Sequence, residues 1–255
     1  MKIGFCASAN EAARAKAAGC EYIELNFTTV ARMSEEEFAA AAASLEAAGL
    51  RSEAMNCFIP GDFNLYTLED GAALEAYMRA GMARAVALGA EVVVFGSAGA
   101  RKLPTGVSKP DGVQKLLPWF KLAGELAAEA GLTIVIEPLN TGEDNAVNTL
   151  LEGIDLMNRV DLPGLRVLAD MYHMGLNGED YAGVPLAGAD LRHTHIANPA
   201  GRKYPLPGDG YDYAPFFSAL GQIGYAGRLS IEASPVNGPE DLPVCVEYLR
   251  SLARM

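Results

Sequence analysis

Apolar residues in this chain fall into short blocks with two kinds of spacing. Eight blocks are compact aliphatic or β-branched runs: KIGFC (2–6), EYIEL (21–25), LRSEAMN (50–56), EVVVFG (91–96), LTIVIE (132–137), LRVLAD (165–170), LRHTHIA (191–197) and GRLSIE (227–232). Runs of this length, bounded by polar residues and glycine, read as β-strands. Longer alanine-rich segments of helical character separate them. One, SEEEFAAAAASLEAAGL (34–50), opens on a Ser-x-x-Glu capping box and closes on Gly49. The same stop, a glycine followed within two residues by a strand, recurs in AKAAGCEY, AVALGAEV and LAAEAGLTI.

Eight strand–helix repeats at a spacing of about 32 residues predict a (β/α)8 barrel, a TIM barrel forming a single domain over residues 1–255. The alternative is an open doubly wound sheet, which would place its ligand near a glycine-rich first turn; the first turn here, CASANEAA, has no G-x-G-x-x-G. Two segments fit the repeat less well. Pro118 predicts a kink in the helical segment after residue 111, or a helix that begins at Pro118 itself. MYHMGLNGEDYAGVPLAG leaves room for only a short helix.

Composition narrows the functional classes. A formal net charge of −12, with no basic run longer than Arg101-Lys102 and Arg202-Lys203, argues against a nucleic-acid partner. No stretch reaches the roughly 20 apolar residues of a membrane span, and the N-terminus lacks the apolar core of a secretion signal, so no membrane partner and a cytoplasmic location are expected. Four scattered cysteines without C-x-x-C spacing argue against a zinc ribbon, a redox pair or a disulfide framework.

The candidate chemistry lies at the ends of the later strands. HTHIAN (193–198) holds two of the three histidines. On a strand, His193 and His195 share a face, roughly 6.6 Å apart. Active sites of such barrels gather at the C-terminal ends of the strands, so His195 reaches the mouth and His193 lies a layer deeper, in packing or second-layer hydrogen bonding. Neighbouring strands end on Glu137, Asp170 and Glu232. Any one strand-terminal acid commonly caps a helix or faces solvent, but three carboxylates in one apolar-walled mouth repel unless a cation neutralises them. One imidazole with three carboxylates suits a single divalent ion: Mn²⁺ first, with Mg²⁺, Co²⁺, Fe²⁺ or Zn²⁺ as alternatives, though not a structural zinc site. Pro138 disfavours the helical region for Glu137 and holds that strand end extended.

Smaller expectations attach to other positions. Glu24 and Asn56 end their strands at the mouth and are candidates for substrate contact. The loop 94–106 carries Gly96, Ser97 and Arg101, a candidate cradle for a sugar hydroxyl or a phosphate, without the Lys-Ser/Thr of a nucleotide loop. Phe58, Trp119 and Tyr204 are candidate apolar faces for a sugar ring, against the plainer reading of core packing.

Through IEPLN, DMYH, HTHIA and SIEAS the whole chain resembles the xylose-isomerase-like barrel superfamily, whose members include ketose 3-epimerases, hydroxypyruvate isomerases and inosose dehydratases. The resemblance implies metal ligands at Glu137, Asp170, His195 and Glu232, with Glu137 and Glu232 also the acid/base pair. It further implies substrate contacts at Glu143, His173 and Arg202, the last spaced one residue further along than in the epimerases.

The activity it implies is isomerisation or epimerisation of a small ketose or related polyol-ketone. In that chemistry a divalent ion acidifies the C–H beside a carbonyl and stabilises the enediolate while one carboxylate removes the proton and another returns it. A lyase or dehydratase using the same enediolate is the alternative, and a non-catalytic sugar-binding protein a further one. The partner expected is a small sugar, with a homo-oligomer possible. Endonuclease IV, a relative that assembles three zinc ions, needs more histidines than this chain has.

Overall fold

The computed structural model describes residues 1–254, and they build one closed parallel barrel in sequence order, β1 to β8, with β8 returning to β1. The strands are β1 (Lys2–Cys6), β2 (Tyr22–Asn26), β3 (Ala54–Asn56), β4 (Val92–Phe95), β5 (Thr133–Ile136), β6 (Leu165–Asp170), β7 (Leu191–Ile196) and β8 (Arg228–Ile231). The main helices are α1 (Ala12–Ala17), α2 (Phe27–Arg32), α3 (Glu35–Ala48), α4 (Ala72–Ala87), α5 (Ala98–Arg101), α6 (Lys109–Ala130), α7 (Leu150–Val160), α8 (Met171–Asn177), α9 (Gly183–Ala187), α10 (Ala214–Gln222) and α11 (Asp241–Leu252). Among the described residues, no helix is long and apolar enough to cross a membrane.

Strand alternation divides the apolar residues into two cores. One face carries Ile23, Met55, Val93, Phe95, Ile134, Ile136, Leu229 and Ile231 into the layer between barrel and helices. The opposite face packs Tyr22, Ala54, Val92, Val94, Val135 and Leu168 into a separate cluster inside the barrel. Two residues beyond an inward apolar residue lies the next inward position, which is why Val135 leads to Glu137, Leu168 to Asp170 and Tyr22 to Glu24. A register shift between Val167 and Leu168 pairs Leu168 with His193 and Asp170 with His195. Without that irregularity, the one-residue offset would set inward side chains of β6 opposite outward ones of β7.

Helix ends follow the local code. Ser34 accepts from Glu37 N–H at 3.2 Å while the Glu37 carboxylate takes Ser34 N–H at 2.7 Å, and Gly49 closes α3 at φ 62°. The helix expected to kink or begin at Pro118 begins at Lys109 and continues past that proline to Ala130. Its start is set by Ser108, whose Oγ accepts from Asp111 N–H, with Pro110 in the first turn where no amide donor is needed. The segment after β6 folds into the short helices α8 and α9.

Arg101 corrects the expectation for loop 94–106. It is fully buried in α5, pairs with buried Asp144 at 3.0 Å, and donates to the carbonyls of Phe95 at 3.2 Å and Glu137 at 2.6 Å. It is a strut joining the loops after β4 and β5, and its guanidinium is already committed. Asp144→Ala leaves that buried guanidinium without its counter-charge, a loss of about 3–5 kcal/mol. Thermal unfolding should register it as a fall in Tm on the order of 10 °C.

Candidate metal centre and cavity

Glu137, Asp170, His195 and Glu232 each offer a ligand atom, and these atoms all lie within 4.8 Å of one another at the barrel mouth. Glu137 and Glu232 follow β5 and β8 directly, while Asp170 and His195 sit in the last two positions of β6 and β7. His195 Nδ1 faces Glu137 Oε1 at 3.0 Å, Glu232 Oε2 at 3.2 Å and Asp170 Oδ2 at 3.9 Å. Asp170 divides its oxygens: Oδ1 caps α8 by accepting Tyr172 N–H at 2.8 Å, and Oδ2 is buried without a hydrogen-bond partner. A buried carboxylate oxygen left unpartnered among further carboxylates fits a divalent cation, and the donor set of three carboxylates and one imidazole suits a hard or borderline ion.

The electrostatics follow from crowding like charges around one imidazole. Burial disfavours a charged His195, yet Glu24 and Glu232 outweigh it and raise the imidazole well above its ordinary range. Burial raises Asp170, against the pull of His173 and His195. For Glu232 burial pushes upward too, but His195 and Arg202 bring it down to about 2. Burial, then the charge of Glu24, lifts the Cys6 thiol well above its usual value, so it stays protonated.

The remaining candidates divide into those at the centre and those elsewhere. Asn56 donates through Nδ2 to Glu232 Oε1 at 2.9 Å, and Arg202 holds the other oxygen, Oε2, at 2.5 Å. Arg202 adopts φ 52° and lays its guanidinium 4.5 Å from the centre of the Tyr172 ring, a partner not among the residues expected at the site. His173 is buried. Its Nδ1 accepts from Asn140 N–H at 3.1 Å, and its Nε2 stands 3.4 Å from Asp170 Oδ2 without hydrogen-bond geometry. Glu143, half-exposed, accepts from Asn140 Nδ2 at 2.8 Å and stands 3.7 Å from Arg202. These two flank the Asp170 and Arg202 side of the centre.

A cavity of about 500 Å³ opens beside Glu232 and extends over β1, β2 and α2, past Ala7, Ser8, Thr29 and Met33. Ser97 does not line it; its Oγ accepts Ile59 N–H at 2.9 Å and ties one loop to another. The three aromatic candidates also lie outside the lining. Phe58 is buried between Phe27 and Phe95, Trp119 donates Nε1–H to the Leu65 carbonyl at 2.8 Å, and Tyr204 packs edge-on against Phe5. Glu24 lies at the cavity floor, but it is wholly buried and its oxygens accept from His193, His195 and Ser230, which leaves none directed at a ligand.

Gly96, expected in a cradle for a sugar hydroxyl or a phosphate, instead leaves room for the Glu137 carboxylate. A Cβ there would stand 2.1 Å from Glu137 Oε2. Because that atom ends a flexible side chain, Gly96→Ala should barely move Tm but should push the carboxylate out of place. Steady-state kinetics should show a loss of about 10²-fold in kcat, the scale expected for a misplacement near 1 Å.

An eight-stranded parallel barrel with a four-residue, oxygen-rich ligand cluster at its C-terminal mouth defines the class: a TIM barrel with a candidate single-metal centre. The chain belongs to the xylose isomerase-like TIM barrel family, whose model matches residues 12–252. It is 34% identical over 133 residues to the L-ribulose 3-epimerase of Methylomonas sp. (strain DH-1), covering 52% of this chain and 46% of that protein. It is 30% identical over 131 residues to the 3-dehydro-D-guloside 4-epimerase of Escherichia coli (strain K12), covering 48% of this chain and 49% of the relative. The aligned stretch thus spans about half, or less, of the length of the curated relatives it matches. Among solved structures, D-psicose 3-epimerase with D-tagatose from Clostridium cellulolyticum H10 superposes with a TM-score of 0.86 at 17% identity over 99% of both chains, a likeness of fold.

Proposed function

We propose that this protein is a divalent-metal-dependent epimerase acting on a small, uncharged ketose. The observation that carries the reading is the cluster of Glu137, Asp170, His195 and Glu232 at the barrel mouth, with Asp170 Oδ2 buried and unpartnered. These four residues would hold the ion, Mn²⁺ being the first choice. When bound, such an ion supplies the positive charge that neutralises the carboxylates and acidifies a C–H next to a ketone.

The chain's own groups do the rest. Glu137 and Glu232 approach His195 Nδ1 from separate strands at 3.0 and 3.2 Å, so two carboxylates flank one position. One removes the proton from the carbon beside the carbonyl, and the other returns a proton to the opposite face, inverting that carbon. Arg202 and Asn56 grip both oxygens of Glu232 and fix its direction. His173 and Glu143 are placed to meet substrate hydroxyls on the Asp170 side.

Two features favour an unphosphorylated substrate. Arg202 is the one cationic side chain lining the cavity among the described residues, and its Nη2 is bound to Glu232. TIM barrels commonly hold phosphate at the loops after the seventh and eighth strands. Here the amides of Val236 and Asn237 in the loop after β8 already donate to the Asp241 carboxylate, at 2.8 and 2.6 Å. A phosphate in that loop would meet a carboxylate.

The test is incubation of Mn²⁺-loaded protein with free ketoses and with their phosphate esters, resolved by chromatography. An epimer of unchanged mass should form from a free ketose. A kcat/KM at least as high for a phosphate ester contradicts the charge argument, and the absence of any epimer contradicts the function.

A further inference from the structure

We propose that Glu24 is a positioning residue for the metal centre. It fixes His195 in the one tautomer and ring orientation that turn Nδ1 toward Glu137, Asp170 and Glu232, and it is held in place by His193, Ser230 and Tyr22. The inference rests on the metal-centre reading above.

Glu24 is fully buried in the barrel interior. Its Oε1 stands 3.0 Å from His195 Nε2, and its Oε2 is 2.7 Å from His193 Nε2 and 2.5 Å from Ser230 Oγ. An ionised carboxylate only accepts hydrogen bonds, so every one of these partners must donate. Both imidazoles therefore carry a proton on Nε2. His193 Nδ1, buried without a partner, agrees with this: a bare lone pair there is a smaller cost than an orphaned N–H. On His195, with the Nε2 proton committed to Glu24, Nδ1 is the nitrogen left to act as ligand.

The layer beneath is built to keep Glu24 still. Ser230 Oγ donates to Glu24, so the Tyr22 hydroxyl, 2.6 Å from Ser230 Oγ, must be the donor to Ser230. The Tyr22 ring lies on Gly4, where a Cβ would come within 2.2 Å of the ring. A buried charge with three donors and no free oxygen contributes little to a ligand contact, but it anchors an imidazole firmly. Geometry thus turns Glu24 from a candidate substrate contact into a support for a metal ligand.

Calorimetric titration of Glu24→Gln with Mn²⁺ should show binding weakened by about 10–100-fold, the usual scale for loss of a residue that orients a ligating histidine. At saturating Mn²⁺ the KM for a ketose should stay within about twofold of the parent. In the Mg²⁺-loaded parent, ¹H–¹⁵N spectra should show His195 protonated on Nε2, and the variant should lose that single tautomer. Unchanged Mn²⁺ affinity with a raised KM would overturn the proposal and return Glu24 to the substrate contacts; no change in either would overturn it too. If Glu24→Gln does not fold, Ser230→Ala must weaken Mn²⁺ binding in the same direction, and unchanged affinity in that variant also overturns the proposal. Because calorimetry needs no turnover, a parent that binds Mn²⁺ without epimerising any ketose refutes the function but not this role for Glu24. A parent that binds no Mn²⁺ removes both.

Discussion

Replacing Glu137 or Glu232 with glutamine is expected to lower epimerisation by about 10³-fold or more, within the range attributed to a positioned acid or base. The two variants should fail in reciprocal ways. Each retains one carboxylate, which still reaches the proton on its own face of the sugar. In D₂O, Glu137→Gln should wash deuterium into only one epimer of the pair, and Glu232→Gln into only the other, with almost no interconversion in either case. The carboxamide keeps the size of the carboxylate; at position 232 its oxygen still accepts from Arg202, and the Asn56 amide turns so that its own oxygen accepts from the new NH2. Proton NMR of both epimers with each variant checks this. Exchange of both epimers by one variant would mean that a single carboxylate serves both faces.

The second large effect concerns the ion. Mn²⁺ at one hundred times its Kd should stabilise the folded protein by about 2.7 kcal/mol, which a thermal melt reads as a rise in Tm of roughly 5–10 °C for a chain of this size. Chelation should reverse the rise and abolish turnover, and added Mn²⁺ should restore both. Asp170→Asn separates the ion's contribution from that of the fold. Asparagine keeps an oxygen to accept Tyr172 N–H at the start of α8, but removes the unpartnered buried charge of Oδ2. Its metal-free Tm should therefore equal or exceed that of the parent, while the Mn²⁺-induced rise disappears. A metal-free melt far below the parent's would mean that Asp170 serves the fold rather than an ion.

The barrel was legible in the sequence because its two periods are local: alternation along each strand, and capping signals such as Ser34 with Glu37 and Gly49 at the helix ends. The four mouth residues were legible for the same reason, since each ends an apolar run and strand direction fixes the end it reaches. The position of His193 below His195 also followed from alternation. What failed needed closure of the barrel. Glu24 lies on β2 and the histidines on β7, and only the closed ring puts one carboxylate under two imidazoles. Ser97 and Arg101 looked like ligand groups in a polar loop, but buried backbone amides and carbonyls around the loop must be satisfied, and both side chains are spent on that. The start of α6 is set by Ser108 and Pro110, and Pro118 lies inside the helix without marking a boundary.

The most direct measurement is solvent exchange during turnover. Mn²⁺-loaded protein incubated in D₂O with a panel of free ketoses should return an epimer pair carrying one deuterium, at the inverted carbon beside the carbonyl, with product mass one unit above that of the starting sugar. The result that contradicts this function is either no deuterium in any ketose of the panel, or a product lighter by a molecule of water, which would mark elimination instead of epimerisation.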